Sequence, residues 1–378
     1  MTPPAAPHET ASAAPRATAP GPPGDREPWD LPLPARAALL LPALLYRGAV
    51  WGRNRMYDAG LLRAARLPFP VVAIGNLTVG GSGKTPIVSY LAGALQGRGV
   101  GVAIVSRGYG RTGRAPLLVS DGRRLLATAT DAGDEPVLLA RRHPHAAVAV
   151  AADRPAAARL LPNQAPPRAL LLDDAFQHRA VHRDVNLLLV DAGAPFGNGR
   201  ILPLGPLREP VSGLRRADAL IVTRGDGSCP AALREVLERH HPKAPIFHAR
   251  IVPSRLADAD GAPVPMDRLR GRRVFAFSGI ARPRHFEEDL GRLGATLAGS
   301  RRFRDHHPFR PDDLAGVVAG ARAAGAEALV TTEKDRVRLD APLPTEAPPL
   351  LVLGIEASFP SGADLADFVH DHLMRSGA

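Results

Sequence analysis

From Phe69 onward the chain alternates short, continuously apolar runs with longer stretches whose apolar positions recur at helical spacing. The runs at 71–74, 102–106, 147–151, 169–172, 186–190 and 219–223 predict strands, and 85–97, 135–142, 154–161 and 229–241 predict the helices between them. A second series follows, with strands at 273–277, 295–303, 328–332 and 349–353 and helices at 283–293, 311–324 and 363–374. Strands that are apolar throughout and separated by helices belong to a parallel sheet covered on both faces. The expected fold is therefore α/β in two parts, residues 67–248 and a second, smaller α/β domain at 249–378. Between them, near 245–270, Pro253, Pro263 and Pro265 among scattered Asp and Gly read as a linker.

The chain before Phe69 breaks this pattern. Residues 1–28 are rich in Pro, Ala, Thr and Gly and read as a disordered extension. They lack the basic start and short apolar core of a secretion signal. Residues 29–66 carry an apolar run from Ala37 to Tyr46, interrupted by Pro42 and flanked by Arg36, Arg47, Arg53 and Arg55. Ten such residues fall short of the roughly 20 that a bilayer crossing requires. With Trp29, Tyr46, Trp51 and Tyr57 added, the segment suits an amphipathic helix lying in a membrane interface. The competing reading is an ordinary amphipathic helix packed on the core.

The first predicted strand runs into Gly75-Asn-Leu-Thr-Val-Gly-Gly-Ser-Gly-Lys-Thr-Pro86 and then into a helix. Strand, glycine-rich turn and Lys-Thr opening a helix are the context of a P-loop, so the larger part is expected to be P-loop NTPase-like. Thr78, Val79, Gly80, Gly81, Ser82, Gly83, Lys84 and Thr85 form the expected nucleotide cradle, in which backbone N–H groups and the helix N-terminus meet phosphate. Lys84 adds charge at the outer phosphates, and the Thr85 hydroxyl is placed for Mg²⁺. Thr78 stands where the strict pattern has Gly. Only three lysines occur, against 45 arginines, and one of them is Lys84.

Leu170-Leu-Leu-Asp-Asp-Ala-Phe-Gln-His178 is an apolar strand delivering two carboxylates to the sheet edge, as in a Walker B segment. Asp173 and Asp174 are candidate Mg²⁺ ligands, directly or through water. Gln177 and His178 follow at the same rim and are candidates for substrate contact. Asp134, in Gly133-Asp-Glu-Pro136, either caps a helix or serves the acceptor hydroxyl of a phosphoryl transfer. Ser106-Arg-Gly-Tyr-Gly-Arg111 offers Arg107 or Arg111 to an anionic ligand, or is a loop that needs Gly to turn. The long segment 196–210 offers Glu209 to the metal and Arg200 or Arg208 to a substrate phosphate. Phe303-Arg-Asp-His-His-Pro-Phe309 places His306 and His307 where one of them can act with Asp134 across a cleft. A zinc half-site is the lesser reading, since no further cluster completes it.

Composition sharpens the choice of partner. A net charge of +11 points to an anion: nucleotide, nucleic acid or acidic membrane. Aromatic residues, at 4%, are too few for a stacking platform, which disfavours a nucleic-acid-dependent ATPase. Thr332-Glu-Lys-Asp335 lacks the Asn-Lys-x-Asp spacing of guanine-specific GTPases. Cys229 is the one cysteine, which argues against a nucleotide-switch metallochaperone and excludes an internal disulfide.

Together these motifs, with Leu204-Gly-Pro-Leu-Arg-Glu209 and in this order from about Trp29 to beyond Lys334, resemble the tetraacyldisaccharide 4′-kinase family, the lipid A 4′-kinases of Gram-negative bacteria. Ala175 stands where that family usually has Gly. The resemblance implies transfer of the ATP γ-phosphoryl group to the 4′-hydroxyl of a tetraacylated glucosamine disaccharide 1-phosphate. It implies two α/β/α domains attached peripherally to the cytoplasmic face of the inner membrane; no obligate protein partner is evident in the sequence. Carried onto matching positions, it implies Lys84 at the β/γ-phosphates and Thr85 and Asp174, joined by Glu209, on Mg²⁺. Asp134, supported by His306 or His307, becomes the base toward the sugar hydroxyl.

Overall fold

The structure, a computed structural model, describes residues 29, 31–162, 168–224, 228–359 and 364–376. The extension expected at 1–28 lies outside them. The described strands are β1 (Val71–Asn76), β2 (Val102–Ser106), β3 (Leu117–Asp121), β4 (Ala147–Val150), β5 (Ala169–Leu172), β6 (Val185–Asp191), β7 (Ala219–Thr223), β8 (Ile246–Asp258), β9 (Pro263–Val264), β10 (Arg273–Ser278), β11 (Thr296–Arg302), β12 (Ala328–Thr332) and β13 (Leu350–Ser358). They join in one sheet of order β11-β10-β12-β13-β8-β7-β6-β1-β5-β2-β4-β3, with β9 on β8. Neighbours run parallel except at β13–β8, β8–β9 and β3–β4.

The helices are α1 (Leu33–Asp58), α2 (Lys84–Gly97), α3 (Ala129–Ala132), α4 (Asp134–Arg142), α5 (Arg154–Ala158), α6 (Ala231–His240), α7 (Pro283–Arg292), α8 (Pro311–Ala323), α9 (Glu333–Arg336) and α10 (Leu365–Ser376). Both sheet faces are covered, as the unbroken apolar strands require. Ile87, Leu91 and Leu95 of α2 and Leu139 of α4 pack on one face of the first half. Ala157 and Ala158 of α5 pack with Leu170 and Leu172 on the other. In the second half, α8 buries Leu314 and Val317 against Phe275 and Phe277, and α7 buries Phe286 and Leu290 on the opposite face.

Two sequence expectations change here. The segment near 245–270 is not a linker. Residues 246–249 of β8 pair with β7, and 250–258 of the same strand pair with β13. The boundary placed at 248/249 thus falls inside a strand that carries the sheet from one half to the other. Pro253 enters a strand because it lies at a register shift, opposite Ile355, where the ladder is already irregular. Likewise α10 does not stay with the C-terminal half. Val369 and Leu373 return to the core under α2, and Tyr90 of α2 donates a hydrogen bond to Asp364 at 2.6 Å.

The N-terminal segment is a single helix that passes Pro42 and runs for 26 residues, about 39 Å at 1.5 Å per residue. The ten-residue limit therefore does not hold: α1 is long and apolar enough to cross a membrane by length and composition. Its C-terminal part is held to the body by polar contacts. Tyr46 donates to the Arg208 carbonyl at 2.9 Å, Asn54 to Glu209 at 3.2 Å, and Arg179 pairs with Asp58 at 2.8 Å. Leu33, Leu41, Leu44, Leu45 and Trp51 remain exposed.

Candidate active site

The C-terminal ends of β1, β2 and β5 open onto a cleft of about 1630 Å³ between the two halves, more than a nucleotide alone requires. The P-loop forms one wall. Gly83, at φ 84°, turns the chain through the left-handed region into α2, a position where a side chain is strained. The first turn of α2 then offers N–H groups that no intrahelical partner uses. Lys84 Nζ donates to Asn76 Oδ1 at 3.2 Å and lies 3.5 Å from Asp174. Thr78 sits at the loop's entry, where its hydroxyl accepts from Asn76.

The two Walker-type carboxylates differ in environment. Asp174 accepts two bonds from Arg208, both at 2.9 Å. Burial alone would raise its pKa, but Lys84 and Arg208 outweigh it and keep the carboxyl ionised. Its left-handed backbone, φ 47°, is the kind of strain that collects at functional sites, and Arg154 bonds its carbonyl at 3.3 Å. Asp173 is deeper. Burial, then the charges of Glu135 and Asp174, push its pKa well above the carboxylate range. One of its oxygens accepts from Ser106 at 3.2 Å; the other, like Ser82 Oγ, is buried with no hydrogen-bond partner. Hard oxygens of this kind fit Mg²⁺. Among the described residues no group of three or more His, Cys, Asp or Glu is placed to cage a metal, so an ion here would share its shell with phosphate and water.

The third group comes from both halves. A Cβ on Gly133 would stand 2.7 Å from the Tyr109 carbonyl oxygen, and one on Gly108 2.8 Å from that of Ala132. Backbone packed this closely fixes where α4 begins, and Asp134 is its first residue. His306 Nδ1 donates to Asp134 at 2.9 Å from the far side of the cleft, while Lys334 and Arg338 stand 3.8 and 3.6 Å from the same carboxylate. Burial would raise the Asp134 pKa, but the His306 bond and the Lys334 and Arg338 charges hold it below the usual range. Asp134 itself is only 4% exposed; His306, Glu135 and Lys334 are the neighbours that line the cleft.

Other expected residues separate. His307 accepts no part in that pair: its Nε2 donates to Asp313 at 2.9 Å and its ring stacks on Phe303, so the two histidines share no metal. Glu209 does not reach the cleft as a metal ligand. It is fully buried, paired with Arg216 at 2.7 Å and bonded to Gln177 and Asn54, where it anchors α1. Arg107, Arg208, Gln177 and His178 do line the cleft, whereas Arg200 does not. Burial, then Arg154 and Arg183, lower the His178 pKa to about 4, so it is a neutral imidazole whose Nε2 has no partner in the protein. Sequence reasoning missed Lys334, Arg338 and Arg154. The scarcity of lysine was a usable signal for Lys334, because two of the three lysines meet at this cleft.

A P-loop beside paired carboxylates, facing an Asp–His pair across a cleft, defines a P-loop phosphotransferase. The family profile described as tetraacyldisaccharide-1-P 4′-kinase matches residues 35–374. A tetraacyldisaccharide 4′-kinase of Anaeromyxobacter dehalogenans (strain 2CP-C) is 46% identical over 341 residues, 88% of this chain and 89% of that protein. One of Syntrophus aciditrophicus (strain SB) is 42% identical over 353 residues, covering 89% and 91%. A crystal structure of LpxK from Aquifex aeolicus in complex with ATP superposes with a TM-score of 0.72 at 33% identity, over 90% of this chain and 99% of that one. The chain belongs to the tetraacyldisaccharide-1-P 4′-kinase family and is a kinase of lipid A biosynthesis.

Proposed function

We propose that the chain transfers the γ-phosphoryl group of ATP to the 4′-hydroxyl of a tetraacyldisaccharide 1-phosphate, giving the 1,4′-bisphosphate, while lying on the cytoplasmic face of the inner membrane. The observation that carries this reading is the composition of the cleft. Its walls are the P-loop, the His306 side of the Asp134 pair, and Tyr46, Val50 and Arg53 of α1. A helix with an exposed apolar stripe that also walls the active cleft lets the sugar reach the phosphate while its acyl chains stay in lipid. Lys84 and the α2 N-terminus neutralise the β- and γ-phosphates, Arg208 holds Asp174 in place, and the Asp134–His306 pair receives the hydroxyl proton. Thr85 and Asp173, with Asp174 beside them, would hold Mg²⁺, which supplies charge neutralisation to the phosphates when bound. Arg107, Gln177 and His178 face the acceptor side.

The direct test is transfer from radiolabelled ATP to the tetraacyl disaccharide 1-phosphate in detergent micelles. Label is expected at the 4′-position of the lipid. ATP turnover with no labelled lipid would leave the nucleotide site standing and remove the acceptor.

The membrane role makes its own prediction. Leu41 and Leu44 are 65% and 54% exposed on α1. Burying a leucine side chain is worth about 1.5–3 kcal/mol. The Leu41→Glu/Leu44→Glu variant should therefore lose at least about tenfold in partition to anionic vesicles, with ATP affinity unchanged. Co-sedimentation reads this; unaltered partition would refute the interfacial role of α1.

A further inference from the structure

Lys334 is the second residue of α9, at the junction of the two halves, with its side chain 21% exposed. Its Nζ lies 3.8 Å from Asp134 and 3.5 Å from Glu135, both on α4 of the first half. On its other side stand Asp305 at 3.4 Å and His306 Nε2 at 3.5 Å, on the loop after β11 of the second half. One ammonium thus touches both members of the pair and an acidic neighbour of each. Arg338, the other nearby cation, stands 3.6 Å from Asp134 but is otherwise bound within its own half, to Asp335 and to the carbonyls of Gly279 and His307, and it reaches neither Glu135 nor Asp305 within 4 Å.

We propose that Lys334 is a positioning residue for phosphoryl transfer: it clasps the start of α4 to the His306 loop, so that the Asp134–His306 pair forms across the cleft. Lys84 differs from it in kind. With three carboxylates around it, Lys334 has its charge engaged by the protein, whereas Lys84 faces one carboxylate and the phosphate cradle. The charged and titratable groups facing Asp134 are His306, Lys334 and Arg338 from the second half and Glu135 from its own helix, with Asp305 and Asp335 behind the cations. Removing Lys334 leaves Glu135 less compensated beside a buried carboxylate, which favours protonation of the pair.

The proposal rests on the pair being the proton acceptor, so Asp134→Asn is assayed alongside. In the full chain, Lys334→Met is expected to lower kcat at least tenfold, leave KM for ATP within about twofold, and move the acid limb of the kcat profile to higher pH. Lys334→Arg should restore the acid limb and much of the rate. Should Lys334→Met fail to fold, Lys334→Gln carries the same readouts, since it keeps hydrogen bonding without charge. Unchanged kcat and acid limb overturn the proposal, and so does a raised KM for ATP with the limb unmoved, which would make Lys334 a nucleotide ligand. If Asp134→Asn keeps its rate, the pair itself is not the acceptor. If Asp134→Asn is inactive while Lys334→Met is normal, only the Lys334 proposal falls.

Discussion

Asp134→Asn is expected to lower kcat by about 10²–10⁴-fold, the usual contribution of a positioned proton acceptor. The substitution keeps the shape and an oxygen for His306 but removes the charge that Lys334, Arg338 and the His306 N–H converge on. Because those groups hold the Asp134 pKa down, its charge is present above the ordinary carboxylate range. The stability it brings is lost only as pH falls through that lower value. The kinase should therefore show no acid limb from Asp134 between about pH 5 and 8, and Asn should depress the rate across that whole range rather than displace the profile. A depressed pKa makes a weak base, which suits phosphoryl transfer: bond-making to the acceptor is little advanced at the transition state, so orientation counts for more than basicity. Stability should fall as well, since Lys334 and Arg338 lose a buried partner. ATP binding, measured by calorimetry, separates this from global unfolding. A parental rate in Asp134→Asn would take the residue out of the reaction.

Much of this architecture was readable from periodicity alone, and the exceptions have physical causes. Unbroken apolar runs such as 102–106, 169–172 and 219–223 are strands with those same limits because both of their faces are buried. β8 escaped detection because it is buried on alternate positions and carries Pro253, a residue that argues against a strand unless the ladder is irregular there. β3 sits at the sheet edge with half-buried positions, and short edge strands leave a weak signal. The P-loop and the Asp173–Asp174 pair were legible because their spacing along the chain is itself the chemistry. Glu209 was misread because it follows Arg208, which lines the cleft; which way its carboxylate turns is decided by Arg216 and by the distant Asn54, neither of which the motif contains. His306 and His307 could not be told apart in sequence for the same reason. The left-handed backbone of His306, φ 59°, sends one ring to Asp134 and the other to Asp313.

Lys84→Met should lower kcat by about 10²–10³-fold, the scale found when one preorganised charge is removed from a site of developing negative charge. Met matches the length and volume of the aliphatic stem, so the loss isolates the ammonium. The loop itself should survive. Ile87, Leu91 and Leu95 hold α2 in the core with no exposed surface, and Thr223 bonds the Ser82 carbonyl at 3.0 Å independently of the lysine. Asp174 keeps both of its bonds to Arg208, so the acidic pair is not left uncompensated. Lys84→Arg is not expected to rescue the rate. The guanidinium is a planar fork, whereas the space between Asn76 and Asp174 fits a compact ammonium donating at 3.2 Å to one and standing 3.5 Å from the other. Single-turnover transfer with ATP held saturating distinguishes the two parts of the effect. If the loss lies in the chemical step, Lys84 acts on the charge that develops as the phosphoryl group leaves; if saturation restores the rate, it acts only in holding ATP.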